Sequence, residues 1–189
     1  VLLLCFCGIV AYNPGTSWRN AYAFAALKTN GSVIAWGNTD YGGSAPSSGL
    51  TNVQTISSNR YAFAALKTDG TVVAWGSSAN GGNAPSGLTD VQTIYSTYYA
   101  FAALKTDGSV VAWGDSSDGG TAPNGLTNVQ TIYSTVNAFA ALKTNGLVIA
   151  WGNANSGGTA PSGLTNVQTI YSAYSAFAAL KTDGSVVAW

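Results

Sequence analysis

The sequence predicts an all-β protein, a β-propeller of about 38-residue blades with five repeats present. Three observations carry that reading. The block Ala-Phe-Ala-Ala-Leu-Lys-Thr occurs five times, with its Phe at 24, 63, 101, 139 and 177. A tryptophan closes a second block with the same spacing, at Trp36, Trp75, Trp113, Trp151 and Trp189. Between the two blocks stands Asp-Gly or Asn-Gly, the strongest short hairpin signal because both dipeptides tolerate positive φ.

Each copy resolves into three short strands. Phe101–Lys105 and Ser109–Trp113 flank the turn at Thr106-Asp107-Gly108, and Val129–Tyr133 supplies a third strand rich in β-branched residues. From Gly114 to Gly125 the chain carries Gly-Gly and Pro123 and is expected to hold no regular structure. The alanine-rich strands are apolar on both faces, which suits strands packed between neighbouring sheets. A unit of this size cannot bury both faces alone, so neighbours must stack on it. Hairpins reverse the chain where a linear solenoid must advance, and one Trp per copy suits the gap between radial blades. A propeller is therefore favoured over a solenoid.

The repeat organises residues 23–189, leaving 1–22 as a non-repeat N-terminal segment. The third-strand block Gly-Leu-Thr-Asn-Val-Gln-Thr-Ile appears four times, once with Asp90 for the Asn, against five hairpins, so one blade lacks a strand. Residues 1–22 are expected either to supply it or to be the remnant of a signal sequence. The run Val1–Ala11 is too short to span a bilayer, which takes about 18 residues or more, but has the character of a signal core. This leans the compartment towards the secretory route without fixing it. Counting back from Phe24 places Trp18 in register with Tyr95, Tyr133 and Tyr171. The blades form either a closed ring of five or part of a larger one.

Composition excludes several chemistries. The 189 residues contain no His, so Ser-His-Asp and Cys-His catalysis are ruled out. Seven basic and seven acidic residues give a net charge of zero, which removes the footprint of a nucleic-acid binder. Cys5 and Cys7 read as small apolar residues, since two thiolates cannot complete a zinc site. Neither a cofactor nor a metal site is expected, Asp115-Ser116-Ser117-Asp118 lacking the spacing of a calcium loop. No spacing of carboxylates supports an enzyme, and no catalytic residue is assigned.

The blades resemble the regulator of chromosome condensation repeat family, closest in style to its short bacterial-type members. The residues that carry the resemblance are Leu104-Lys105, Asp107-Gly108, Val110-Val111 and Ala112-Trp113-Gly114, with counterparts in the other copies. The resemblance implies a propeller whose members mostly bind proteins through loops on one face. Where that family often has Gly-Gly followed by His, this chain has Ser96-Thr97 and Ala100, and guanine-nucleotide exchange is not expected.

Differences between copies point to the same conclusion. Residues just before each Ala-Phe block vary, as do those after each Trp-Gly. Tyrosine gathers at the first of these stretches, and it suits recognition because it offers a large rigid area with a polar tip. The candidate partner-binding residues are Arg60, Tyr61, Tyr98, Tyr99, Tyr174, Tyr41, Asp115 and Asp118. Tyr95, Tyr133 and Tyr171 are expected to pack between blades instead. Lysines at 28, 67, 105, 143 and 181 would form a ring beside the hairpin turns, partly offset by the turn aspartates. The expected function is a non-catalytic module that binds a protein partner. A carbohydrate-binding lectin with one site per blade and a structural subunit of a larger assembly are the alternatives.

Overall fold

Along Ala62-Phe63-Ala64-Ala65-Leu66, successive side chains point to opposite sides of the strand, and both sides are apolar. The computed structural model describes residues 18–189 and shows what each side meets. Blade 1 holds β1 (Ala23–Leu27) and β2 (Val33–Gly37). Blade 2 holds β3 (Val53–Ser58), β4 (Ala62–Lys67) and β5 (Val72–Gly76). Blade 3 holds β6 (Val91–Ser96), β7 (Ala100–Lys105) and β8 (Val110–Gly114). Blade 4 holds β9 (Val129–Ser134), β10 (Ala138–Lys143) and β11 (Val148–Gly152). Blade 5 holds β12 (Val167–Ser172), β13 (Phe177–Lys181) and β14 (Val186–Ala188). Each sheet is antiparallel and meanders in chain order.

Four apolar cores lie between these sheets. Ala62, Ala64 and Leu66 of blade 2 pack forwards against Leu88, Val91, Ile94, Phe101, Ala103 and Trp113 of blade 3. Phe63 and Ala65 pack backwards onto Ala23, Ala25 and Leu50. The same division recurs between blades 3 and 4 and between blades 4 and 5. The strands β3, β6, β9 and β12 adjoin one another from blade to blade and form the inner wall. Tyr95 and Tyr133 on that wall pack between blades as expected, their hydroxyls 3.4 Å and 3.3 Å from Thr131 and Thr169 Oγ1 of the next blade. Tyr171 is 62% exposed.

A more specific joint sits at the end of each outer strand. The segment after Trp-Gly forms a single 3-10 turn, a departure from the expected irregular loop, and closes on a left-handed glycine. Gly81 has φ +94°, and a Cβ there would lie 2.7 Å from the Phe101 ring of the following blade. Its carbonyl accepts the indole N–H of Trp113 at 3.0 Å. Trp75 bonds Gly42, Trp151 bonds Gly119 and Trp189 bonds Gly157 in the same way. Within each blade the Phe and Trp rings lie against one another, 5.2–5.5 Å between centroids. Trp therefore fills the space between blades in blades 2 to 5. Among the described residues Trp36 has no such partner and is 44% exposed, and Phe24 is 41% exposed where Phe101 is fully buried. No core among the described residues joins blade 5 to blade 1.

At the opposite end lie the hairpin turns. Only their glycine takes positive φ, +77° to +83°, so the preceding Asp or Asn is free for another task. Asp69 Oδ1 accepts from Thr71 N–H at 3.0 Å and from its hydroxyl at 2.6 Å, and Asn30 makes the matching bonds with Ser32. Lys67 lies 3.4 Å from Asp69 and Lys181 3.8 Å from Asp183. Four of the five turn glycines, Gly31, Gly70, Gly108 and Gly146, rest beneath Asn52, Asp90, Asn128 and Asn166, each with φ near +57°. Residues 1–17, including most of the expected closing strand or signal remnant, lie outside the described residues. Trp18, Arg19 and Asn20 carry no strand.

Two outcomes follow. Trp113→Phe removes the glycine bond and should cost about 1–2 kcal/mol in urea unfolding, whereas Trp36→Phe should cost clearly less. The Thr71 hydroxyl, first among the causes, holds the Asp69 carboxyl down to about 2. The turn's contribution is thus complete above the ordinary carboxylate value and is lost as pH falls through about 2. By NMR titration, Thr71→Val should move Asp69 back up towards 3.8.

Candidate functional site

The turn joining the inner strand of each blade to its middle strand lies at the same end as the 3-10 turn. Ser77 N–H bonds the Tyr61 carbonyl, and Asp115 N–H bonds that of Tyr99. The variable residues therefore form three concentric rows on one face. Nearest the inner wall are Ala21, Arg60, Tyr98, Val136 and Tyr174, linked in series by backbone bonds from each N–H to the next blade's carbonyl, 2.8–3.1 Å. Outside them run Tyr22, Tyr61, Tyr99, Asn137 and Ser175. The outer row, from the 3-10 turns, is Tyr41, Asn80, Asp118 and Ser156.

A buried polar residue anchors this turn in four of the five blades. Asn59 Oδ1 accepts from Tyr61 and Ala62 N–H, and its amide donates to the Asn80 carbonyl at 2.6 Å. Asn20 makes the same bonds to Tyr22, Ala23 and Tyr41. In blade 3 the Thr97 hydroxyl accepts from Ala100 N–H and donates to the Asp118 carbonyl, both at 3.0 Å. Thr135 does likewise with Ala138 and Ser156. The anchor fixes the backbone on either side of the two variable rows, so those side chains are free to differ.

Of the residues expected to form the site, six converge. Tyr22, Tyr61 and Tyr99 of blades 1 to 3 form a stacked series, with centroids 5.5 Å and 5.7 Å apart and ring planes within 20°. Tyr41 wedges against Tyr22 at 4.8 Å and Tyr61 at 5.0 Å. Tyr98 meets Tyr99 edge-on at 6.0 Å and Tyr174 at 6.3 Å. The Arg60 guanidinium lies 5.6 Å and 5.7 Å from the Tyr61 and Tyr98 centroids, in cation–π range. A hydrogen bond to Tyr22 is the main cause that raises the Arg60 pKa. Burial raises those of Tyr61 and Tyr98.

Asp115 and Asp118 stand apart from the aromatic group. Asp115 caps its 3-10 turn by accepting from Ser117 N–H at 2.9 Å. Asp118 occupies the outer-row place held by Tyr41 in blade 1, and burial, then the Asp115 charge, raises its pKa. Two members of the aromatic group were not expected. Tyr22 could have been found, since it stands two residues before Phe24 as Tyr61 stands before Phe63. Trp18 could not, because its register with Tyr95 pointed to a place between blades. It lies edge-on against Tyr98 at 4.4 Å.

Both arginines of the chain are in this region, at Arg19 and Arg60, while all five lysines are in the middle strands' last position or the turn that follows. Among the described residues no three His, Cys, Asp or Glu side chains are grouped to hold a metal, and no helix is long and apolar enough to cross a membrane.

No family model matches the chain, and no curated protein does. Solved structures do. The ectodomain of the receptor kinase CR4 of Physcomitrella patens aligns over 90% of this chain and 50% of its own, with 19% identity and a TM-score of 0.63. Yeast RCC1 (Prp20) bound to Kap60 aligns over 89% of this chain and 54% of its own, with 17% identity and a TM-score of 0.57. A second structure, of Saccharomyces cerevisiae Prp20p, gives 16% identity, a TM-score of 0.57 and coverage of 89% and 56%. The chain has the RCC1-like propeller-repeat fold, and it spans about half the length of these solved proteins.

The anchor can be tested directly. Thr97→Ala leaves the Ala100 N–H and the Asp118 carbonyl unpaired and should cost about 1–3 kcal/mol by urea unfolding. Thr97→Asn, which copies blades 1 and 2, should restore most of that loss.

Proposed function

We propose that the chain is a non-catalytic interaction module that binds a protein partner through the face bearing Arg60, Tyr61, Tyr98, Tyr99 and Tyr174, extended by Tyr41 and Tyr22. The observation that carries this reading is the joining of these side chains into one aromatic group around a single guanidinium. Aromatic residues and arginine dominate the energetics of protein interfaces, because they bury much area with few torsions to fix. Their distribution also fits a discrete footprint. Blades 1 to 3 carry Tyr22, Tyr61 and Tyr99 in the middle row, with Tyr98 beside Tyr99 in the inner row, while blade 4 has Asn137 in the middle row and a buried Val136 in the inner one. Asp115 and Asp118 belong to the rim of that footprint, where charges steer a partner more than they hold it.

The similar structures support a protein partner. Prp20 was solved with Kap60 bound and was studied for binding to Gsp1p and histones. The stacking geometry is less suited to a lectin. Tyr22, Tyr61 and Tyr99 present their faces mainly to one another, whereas a sugar needs an aromatic face left open.

The test is affinity capture with the chain as bait, identification of the bound protein, and titration with purified components. Arg60→Ala, Tyr61→Ala and Tyr99→Ala should each weaken binding about tenfold or more, with Val136→Ala and Asn137→Ala close to unchanged. Unaltered affinity in all of the first three would exclude this face.

A further inference from the structure

An indole is already bound at the inner row. The Trp18 ring stands edge-on to Tyr98 at 4.4 Å and to Tyr174 at 6.1 Å, with interplanar angles of 87° and 89°. Its Nε1–H donates to the Thr135 carbonyl at 3.2 Å. Its backbone N–H donates to Ser96 Oγ at 2.9 Å, and its carbonyl accepts from Ser58 Oγ at 2.6 Å. These groups belong to blades 2, 3, 4 and 5, while Trp18 precedes blade 1.

This is a different placement from that of the framework tryptophans. Trp75, Trp113 and Trp151 are 4–5% exposed within the blade cores. Trp18 is half-buried and belongs to none of those cores. Every group that receives it is held by the blades themselves. Ser96 Oγ, for example, also donates to the Ser58 carbonyl at 2.8 Å. The receiving set therefore needs only what a tryptophan residue can supply: an indole, one N–H and one carbonyl.

We propose that the inner row is a subsite for a single tryptophan side chain of the protein partner, and that Trp18 is its resident occupant, which the partner must displace. The inference rests on the binding face proposed above and names what that face receives at its centre. Tyr98 and Tyr174 supply edge-to-face ring contacts, Thr135 reads the indole N–H, and Ser58 and Ser96 read the adjacent backbone. An occupant that fills the subsite nine-tenths of the time lowers the partner's affinity about tenfold.

The probe is a labelled synthetic peptide, Thr-Ser-Trp-Arg-Asn, acetylated and amidated, followed by fluorescence polarisation against the 189-residue chain. It should bind the Trp18→Ala chain at least about tenfold more tightly than the unaltered chain, and lose that gain when Tyr174→Ala is added. The peptide with Ala in place of Trp should not bind. Absence of binding to Trp18→Ala, or equal binding to both chains, overturns the subsite. Should Trp18→Ala fail to fold by circular dichroism, the unaltered chain decides by NMR. There the Trp18 indole N–H should exchange at least about tenfold faster than those of Trp75, Trp113 and Trp151, and excess N-acetyl-tryptophanamide should shift its resonance alone. Protection equal to the framework indoles overturns the proposal. A partner weakened by Tyr61→Ala but indifferent to both Trp18→Ala and Tyr174→Ala leaves the face standing and removes only its subsite.

Discussion

The joint between one blade's left-handed glycine and the next blade's aromatic pair governs this structure. Gly42, Gly81, Gly119 and Gly157 each expose a carbonyl to an indole N–H, and each lies against a phenylalanine where no Cβ fits. A sheet apolar on both sides cannot be stable alone, and burial by itself has no direction. The hydrogen bond supplies one, because it is satisfied only when the blades meet at a set height and angle. Truncating such a buried Phe typically costs about 3–5 kcal/mol, so most of the adhesion is apolar while the indole sets the position.

The same joint determines what reaches the binding face. Since the glycine ends the 3-10 turn, that turn is held beside the following blade, and Tyr41 can touch both Tyr22 of its own blade and Tyr61 of the next. The buried Asn or Thr then fixes the neighbouring turn to the same segment. Framework and surface thus alternate residue by residue, with Asn59 sealed inward and Arg60 and Tyr61 turned out. Opposite ends of the strands carry different kinds of cation, with Lys67 and Lys181 beside turn aspartates and Arg60 among rings.

How much of this could be read from the sequence depends on whether the governing distance lies within one repeat or between two. The hairpins, the third strand and the inter-blade tryptophans follow from spacing alone, since each is a relation inside a copy or at a fixed period. The convergence of Tyr98 with Tyr174 does not, because it depends on how sharply successive blades turn about the axis. Trp36 was expected to be packed like its four counterparts, but packing requires a preceding blade, and none is among the described residues. The anchor role of Asn59 was hidden for another reason: Asn in two blades and Thr in two others make the same bonds, so a constant function looked like variation. The hairpin Asp-Gly pairs were located correctly, although only the glycine takes the left-handed conformation, and the aspartate works through its side chain.

The near identity of the four joints has a consequence for assembly. The rear of blade 3 would accept the front of blade 1 or blade 4 with the same Phe, Trp and glycine in place, so contact energy cannot tell a neighbour from a stranger. Sequence order is enforced by the tether, which holds the next blade at an effective concentration on the order of millimolar. Another molecule at comparable concentration competes on equal terms for each exposed face during refolding. The tether, favoured by dilution, is then what keeps each blade paired with its own chain's neighbour.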